Sequence, residues 1–179
     1  VMPENLMEYL KPDFGISGEG EVTFSKLLDA LPFNEIKKFK NIENLFLFFN
    51  NKLVKNIQIS EYLQLNTIAS PDYRFVDFGA YVKRPPKPHA GGPPLLPYVR
   101  MTTTRGCPFK CSFCQVEIIS GKKVRARNPE DVVDELAFLK REYGIRSALF
   151  EDDNLLMAGN KYAQTLFSLM IERNLDLKW

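Results

Sequence analysis

The chain has 179 residues, of which 45% are hydrophobic and 26% are charged, and this composition excludes an intrinsically disordered protein. Its 24 basic and 22 acidic side chains leave a net charge of +2, which indicates neither a nucleic-acid partner nor a membrane surface. The longest apolar run, Leu45–Phe49, is far too short to cross a bilayer. Three clustered cysteines argue against a secreted disulfide framework and predict a reducing, cytoplasmic compartment.

The N-terminal stretch predicts two helices around a short strand. Residues 3–10 are typical of a helix with proline at its first position, and DFGIS (residues 13–17) of a strand. The glycines of GEGE (residues 18–21) then mark a turn. The helix that follows the turn, which Pro32 ends, has apolar residues at helical spacing. They are Phe24, Leu27, Leu28 and Leu31.

Residues 43–57 predict a β-hairpin, because two apolar runs flank Asn50 and Asn51. Asparagine tolerates the positive φ that a tight hairpin turn requires. Residues 70–97 are rich in proline and predict an irregular connector that contains a domain boundary. His89, the only histidine, is expected to be an exposed residue of that connector.

The C-terminal half alternates strand patterns with helix patterns. LPYVRMTTT (residues 96–104), IRSALF (145–150) and LDLKW (175–179) predict strands. Residues 129–143 and 160–173 predict the helices between them. This order is typical of parallel βαβ units and therefore of an α/β fold.

The helix predicted over residues 129–143 has clear ends and one apolar face. Asn128 is a favourable N-cap residue, and Gly144 is a favourable residue just after the last turn. The second predicted helix also has one apolar face. The apolar residues of the two helices are Val132, Leu136, Leu139, Tyr143, Ala163, Leu166, Phe167 and Met170.

The two ends of the sequence predict a segment of a longer protein. The chain begins at Val1 rather than at methionine, and it ends on LDLKW, a strand pattern with no element after it. We therefore expect incomplete domains at both ends.

The three cysteines, Cys107, Cys111 and Cys114, have the spacing C-x3-C-x2-C. Four interpretations follow: a disulfide with one free thiol, a zinc site, three buried structural cysteines, or an iron–sulfur cluster. Zinc needs a fourth ligand, and Arg105 and Lys110 make a buried segment unfavourable. In a cubane cluster held by three thiolates, the fourth iron is left for a small molecule.

The stretch TTTRGCPFKCSFCQ (residues 102–115) resembles the opening of the radical S-adenosylmethionine (SAM) enzymes, whose signature is C-x3-C-x-aromatic-C. Phe113 fills the aromatic position and is expected at the cofactor site. The resemblance implies that the three cysteines bind a 4Fe-4S cluster and that SAM chelates its fourth iron. It also implies a 5′-deoxyadenosyl radical that abstracts hydrogen from a small-molecule substrate, and an electron donor such as flavodoxin or ferredoxin.

The acidic stretch EDDN (residues 151–154) follows the second predicted strand of this barrel-like half, where ligands gather in parallel α/β folds. The family often recognises the SAM ammonium near this position, which makes Asp152, Asp153 and Asn154 candidate SAM contacts. The alternative is a solvated acidic turn. For the basic run KKVRAR (residues 122–127) we favour a solvated face over an anion site.

The N-terminal stretch DFGISGEGEVTFSKLLDAL resembles the last strand and helix of the cobalamin-binding domain of one radical SAM subgroup. The resemblance implies that Gly18, Glu19 and Gly20 lie near cobalamin. The Asp-x-His-x-x-Gly motif of that domain is absent from this sequence.

The resemblance implies a fold with two parts. Residues 1–32 would be the end of a doubly wound cobalamin-binding domain, and residues 33–94 a linker with a β-hairpin. Residues 95–179 would be the first half of a partial (β/α)6 radical SAM barrel.

The function that this resemblance implies is methylation or rearrangement of an unactivated carbon, with cobalamin as a further cofactor. The segment alone is expected to be inactive. One alternative is a radical SAM methylthiotransferase. The other, from a different class, is a non-catalytic zinc-binding interaction module.

Overall fold

The computed structural model describes residues 3–32, 35–56, 62–84 and 94–179. Its α-helices are α1 (Pro3–Leu10), α2 (Glu21–Ala30), α3 (Phe78–Val82), α4 (Val116–Ser120), α5 (Pro129–Tyr143) and α6 (Asn160–Glu172). Its strands are β1 (Phe14–Ile16), β2 (Leu45–Phe49), β3 (Lys52–Asn56), β4 (Tyr98–Met101), β5 (Thr104–Arg105), β6 (Arg125–Ala126) and β7 (Ser147–Phe150). Short 3₁₀ helices lie at Ile36–Lys38, Leu65–Thr67, Tyr73–Phe75 and Leu155–Ala158. His89 lies outside the described residues.

The chain forms two compact units. One comprises Val1–Leu63 and Pro108–Lys122, and the other Gln64–Cys107 and Lys123–Trp179. The domain boundaries predicted near residues 32 and 94 remain predictions. In the part of the chain that the structure describes, no helix is long and apolar enough to span a membrane.

The first unit contains a three-stranded antiparallel sheet with the strand order β1-β2-β3. The predicted hairpin is confirmed, because β2 pairs with β3 and the turn residues Asn50 and Asn51 have φ values of 49° and 61°. The sequence assigned this hairpin to a linker, but Gly15 of β1 pairs with Phe46 of β2. The hairpin therefore belongs to the same sheet as the DFGIS strand.

Helix α2 forms where it was predicted, but most of its apolar stripe is exposed. Leu27 is buried against the core of the first unit, which includes Phe39 and Leu45. Phe24 and Leu28 are each more than half exposed. The apolar spacing therefore identified the helix, but it did not determine which of its apolar residues would be buried.

The second unit is built on parallel strands. Strand β4 pairs with β7 in register, from Tyr98 opposite Ser147 to Met101 opposite Phe150. Helices α5 and α6 pack their predicted apolar faces into one core. The α/β prediction is confirmed for this unit. LDLKW contributes only a single parallel bridge, between Ser147 and Lys178, rather than the predicted strand.

The stretch LPYVRMTTT forms two strands instead of the single strand predicted for it. Strand β4 ends at Met101, and β5 begins at Thr104 and pairs antiparallel with β6. The break at residues 102–103 redirects the backbone away from the parallel pair. Polar contacts described below hold this break in place.

Helix α5 has the predicted bounds, and Gly144 adopts the left-handed conformation at its end. Asn128 occupies the N-cap position, but its side chain makes no capping hydrogen bond. Its backbone N–H donates to Asn66 Oδ1 at 2.6 Å. Asn128 thus connects the helix start to the chain before β4 rather than closing the first turn.

Candidate functional site

The cysteine loop follows β5 and leads into α4. Gly106 has a φ of 93°, which favours glycine, and it turns the backbone immediately before Cys107. All three cysteines are free thiols; Cys107 is half-buried, whereas Cys111 and Cys114 are exposed. The backbone N–H of Cys114 donates to the carbonyl of Cys111 at 3.0 Å, which gives this part of the loop a tight turn.

The chemistry of the donor set is that of a soft metal site. Three thiols on one loop are ligands that iron–sulfur clusters and zinc both prefer. In the ranges that the structure describes, no three Cys, His, Asp or Glu side chains are grouped closely enough to hold a metal ion. The three thiols therefore fit a metal centre by their donor type and by their spacing in the sequence. Phe113, between two of the cysteines, is 88% exposed.

The EDDN stretch begins one residue after β7 ends, as the sequence predicted, and its side chains have different environments. Glu151 forms an ion pair with Arg100 at 3.2 Å on the surface. Asn154 accepts a hydrogen bond from the N–H of Leu156 and caps the following 3₁₀ helix. Asp153 is exposed, and the structure gives it no hydrogen bond or ion pair with any described residue.

Asp152 contacts the segment that opens the cysteine loop. Its Oδ1 atom accepts from the N–H and the hydroxyl of Thr103, each at 3.0 Å. The same atom accepts from the hydroxyl of Thr104 at 2.6 Å and from the N–H of Thr104. Its Oδ2 atom is buried and has no hydrogen-bond partner among the described residues.

A second polar cluster lies beside this one. Arg127 forms an ion pair with Glu135 of α5, and both side chains are largely buried. The Tyr73 hydroxyl donates to the same carboxylate. Burial is the main cause that raises the pKa of Tyr73, and the hydrogen bond to Glu135 raises it further. The phenol therefore stays protonated and can donate.

This cluster corrects the prediction for KKVRAR. Lys122 is exposed and pairs with Glu117 at 3.1 Å, as a solvated face requires. Arg125 is only 4% exposed, and Arg127 is held by Glu135, so neither belongs to such a face. The sequence did indicate a buried acid that needs a basic partner. Glu135 lies three residues after Val132 and four before Leu139, and therefore on the apolar stripe of α5.

An apolar pocket in the first unit is lined by Gly18 of the GEGE turn but not by Glu19 or Gly20. Gly18 has a φ of 76°, and Gly20 is the N-cap residue of α2. The pocket has a volume of about 450 Å³. Its lining includes Met7, Leu10, Gly15, Gly18, Phe46 and Ile118.

A protein-family model matches part of this chain. Residues 101–170, which run from the end of β4 into α6, match the family model of the radical SAM superfamily. The matched residues contain all three cysteines and the EDDN stretch.

The curated relatives that this chain matches are longer than the chain itself. An uncharacterized methyltransferase of Pyrococcus horikoshii is 34% identical over 169 residues, which are 93% of this chain and 34% of the relative. The chain thus spans about a third of the length of that relative.

Two solved structures share the fold. The methyltransferase TsrM from Kitasatospora setae, solved with cobalamin and a [4Fe-4S] cluster, matches 97% of this chain and 32% of its own, with a TM-score of 0.68 and 20% identity. The cobalamin-dependent enzyme OxsB, solved with aqua-cobalamin and S-adenosylmethionine, matches 96% of this chain and 23% of its own, with a TM-score of 0.68 and 16% identity. At these identities the likeness shows an α/β fold of this type.

The buried pair of Arg127 and Glu135 leads to a stability prediction. Replacing Glu135 with Ala leaves the guanidinium of Arg127 without its carboxylate, and removing one partner of a buried pair costs about 3–5 kcal/mol. Urea unfolding followed through Trp179, the only tryptophan and a member of the same unit, measures this loss.

The matched control is Asp134→Ala, one residue earlier on α5. Asp134 pairs with Arg173 on the surface, where such a pair contributes about 0–1 kcal/mol. Equal destabilisation by the two substitutions would contradict a special role for the buried pair.

Proposed function

We propose that this chain binds a 4Fe-4S cluster through Cys107, Cys111 and Cys114 and binds SAM beside it. The observation that carries this proposal is the position of the C-x3-C-x-aromatic-C loop within the residues that match the radical SAM superfamily model. The loop follows the first strand of a parallel pair, and an acidic stretch follows the second. Ligands of parallel α/β folds gather at this edge of the sheet.

The residues of the chain have separate tasks in this proposal. The three thiolates hold three irons, and the exposed Phe113 ring provides an apolar surface next to them. When bound, a reduced cluster supplies the electron that cleaves SAM and yields the 5′-deoxyadenosyl radical. The protein binds and orients the cofactors and keeps water from them.

The SAM ammonium is a cation that needs an acidic partner within the site. We assign this role to Asp153 and keep Asn154 as a neighbouring SAM contact, and we do not assign it to Asp152. Asp153 is exposed and has no hydrogen bond or ion pair with the residues that the structure describes, whereas Oδ1 of Asp152 already accepts four hydrogen bonds. Asp153 is therefore the acid most available to a ligand.

We also propose that cobalamin is bound with the help of Gly18, Glu19 and Gly20. The apolar pocket that Gly18 lines supports a ligand role for this turn. In this proposal residues 1–32 are the end of a cobalamin-binding domain, and residues 95–179 are the first half of a partial (β/α)6 barrel.

For the whole protein we propose radical methylation or rearrangement of an unactivated carbon in a small molecule. The electron would come from a donor such as flavodoxin or ferredoxin, in the cytoplasm. Methylthiotransferase activity is the alternative that a second cluster with its own cysteines would favour.

The first test of this function is metal content. Anaerobic reconstitution with iron and sulfide should give about four irons per chain, the stoichiometry of a cubane. Replacing Cys107, Cys111 and Cys114 together with Ala should remove this iron and its visible absorption. Metal analysis of the protein as purified separates iron from zinc.

An iron content of the wild-type protein no higher than that of the triple Ala variant would overturn the cluster assignment. Zinc bound at one ion per chain, lost in the same variant, would support the interaction-module alternative instead.

The second test concerns SAM. A sheltered charge-assisted contact contributes roughly 1.5–3 kcal/mol, or about a tenfold to hundredfold change in affinity. Asp153→Ala should weaken SAM binding to the reconstituted protein by this factor and leave its iron content unchanged. Calorimetric titration measures the affinity.

Glu151→Ala is the matched control, because Glu151 is an acid of the same stretch that faces Arg100. If Asp153→Ala and Glu151→Ala both bind SAM as tightly as the wild-type protein, Asp153 is a solvated residue and the cluster assignment stands without it.

The third test concerns cobalamin. Gly18→Val introduces a branched side chain at a positive φ on the pocket wall, so we expect binding of hydroxocobalamin to weaken by roughly tenfold, about 1.4 kcal/mol. Gly159→Val is the control, because Gly159 has a φ of 97° and lies in the other unit with open space around it. Absorbance titrations measure the affinity for hydroxocobalamin. A wild-type affinity in Gly18→Val would contradict the assignment of this turn to cobalamin binding.

A further inference from the structure

The backbone that enters the cysteine loop is held from two sides. Thr103 is fully buried, and its N–H donates to Asp152 while its carbonyl accepts from the N–H of Arg127 at 2.8 Å. Thr104 is 5% exposed and also donates its N–H and its hydroxyl to Asp152. Two residues, Arg105 and Gly106, separate Thr104 from Cys107.

The position of Asp152 explains why a carboxylate is needed there. The parallel ladder between β4 and β7 ends with the N–H of Glu151 donating to Met101 at 2.8 Å. One residue later, the Asp152 side chain accepts from the backbone N–H groups of Thr103 and Thr104, which lie two and three residues beyond the end of β4. An ionised carboxylate accepts hydrogen bonds without donating any, so it can take four donors where an apolar residue can take none.

We propose that Asp152 is a positioning residue for the metal centre, which it serves through Thr103 and Thr104 rather than by contacting a cofactor. By fixing the backbone at these two threonines, Asp152 fixes the direction in which the chain reaches Cys107. This inference deepens the proposed function and rests on it. It gives Asp152 and Asp153 different tasks although they are neighbours.

The first experiment needs no cluster and tests the contact itself. Amide hydrogen exchange of the iron-free protein is compared for wild type, Asp152→Ala, Asp152→Asn and Glu151→Ala. We expect Asp152→Ala to speed exchange at Thr103 and Thr104 by at least about tenfold, and Asp152→Asn, which keeps one acceptor oxygen, to speed it less. Glu151→Ala should leave both amides as protected as in wild type.

The second experiment measures the centre. The same proteins are reconstituted, and iron content, the electron paramagnetic resonance spectrum and the midpoint potential of the reduced cluster are recorded. We expect Asp152→Ala to keep the wild-type circular dichroism and to hold less than half of the wild-type iron, with an altered spectrum and potential. Asp152→Asn should restore part of each property, which a loss of general stability would not explain.

If Asp152→Ala does not fold, Thr104→Val removes one hydroxyl donor and keeps the backbone N–H, and a shifted spectrum and potential are then expected. Wild-type exchange rates, or a wild-type spectrum and potential in the cluster-loaded variants, would overturn the proposal. A wild-type protein that binds no iron would overturn the proposed function instead, and the exchange rates would still report whether Asp152 holds the two threonines.

Discussion

The parallel, in-register pairing of β4 with β7 is the constraint on which the described site depends. Because Met101 lies opposite Phe150, the two strands end at the same edge of the sheet. The residues after them, Thr103 and Asp152, are 49 positions apart in the sequence and yet within hydrogen-bond distance. Without this register the carboxylate would not reach the backbone that leads to Cys107.

The polar groups at this edge stabilise the fold only as a complete set. Taking a carboxylate out of water without partners is unfavourable, and the hydrogen bonds from Thr103 and Thr104 offset that cost for the half-buried Asp152. Glu135 and Arg127 offset each other in the same way, and the backbone of Arg127 in turn holds Thr103. Helix α5 is thereby connected to the entry of the cysteine loop through polar contacts as well as through its apolar face.

The sequence predicted those parts of the fold that local rules determine. Asn50 and Asn51 specified a hairpin, and α5 formed with the predicted bounds because a proline start, an apolar stripe and Gly144 all agree. Burial in α2 could not be predicted, since Phe24 and Leu28 follow helical spacing whether or not a surface covers them. The partners of Asp152 were missed for a similar reason, because three consecutive threonines have no pattern that identifies the acid they will contact.

At the candidate site, the sequence indicated which side chains have atoms that can bind a metal or a cation. It did not indicate that neighbouring side chains would have different contacts. Four residues that read as one acidic motif have four environments: Glu151 pairs on the surface, Asp152 holds backbone, Asn154 caps a 3₁₀ helix and Asp153 is exposed. The divergence arises because the strand ends at Phe150, and each side chain after it follows its own local contacts. Among the four, Asp152 and Asn154 serve the backbone of the protein, so the number of acidic and amide groups in the motif exceeds the number that remain exposed without such a contact.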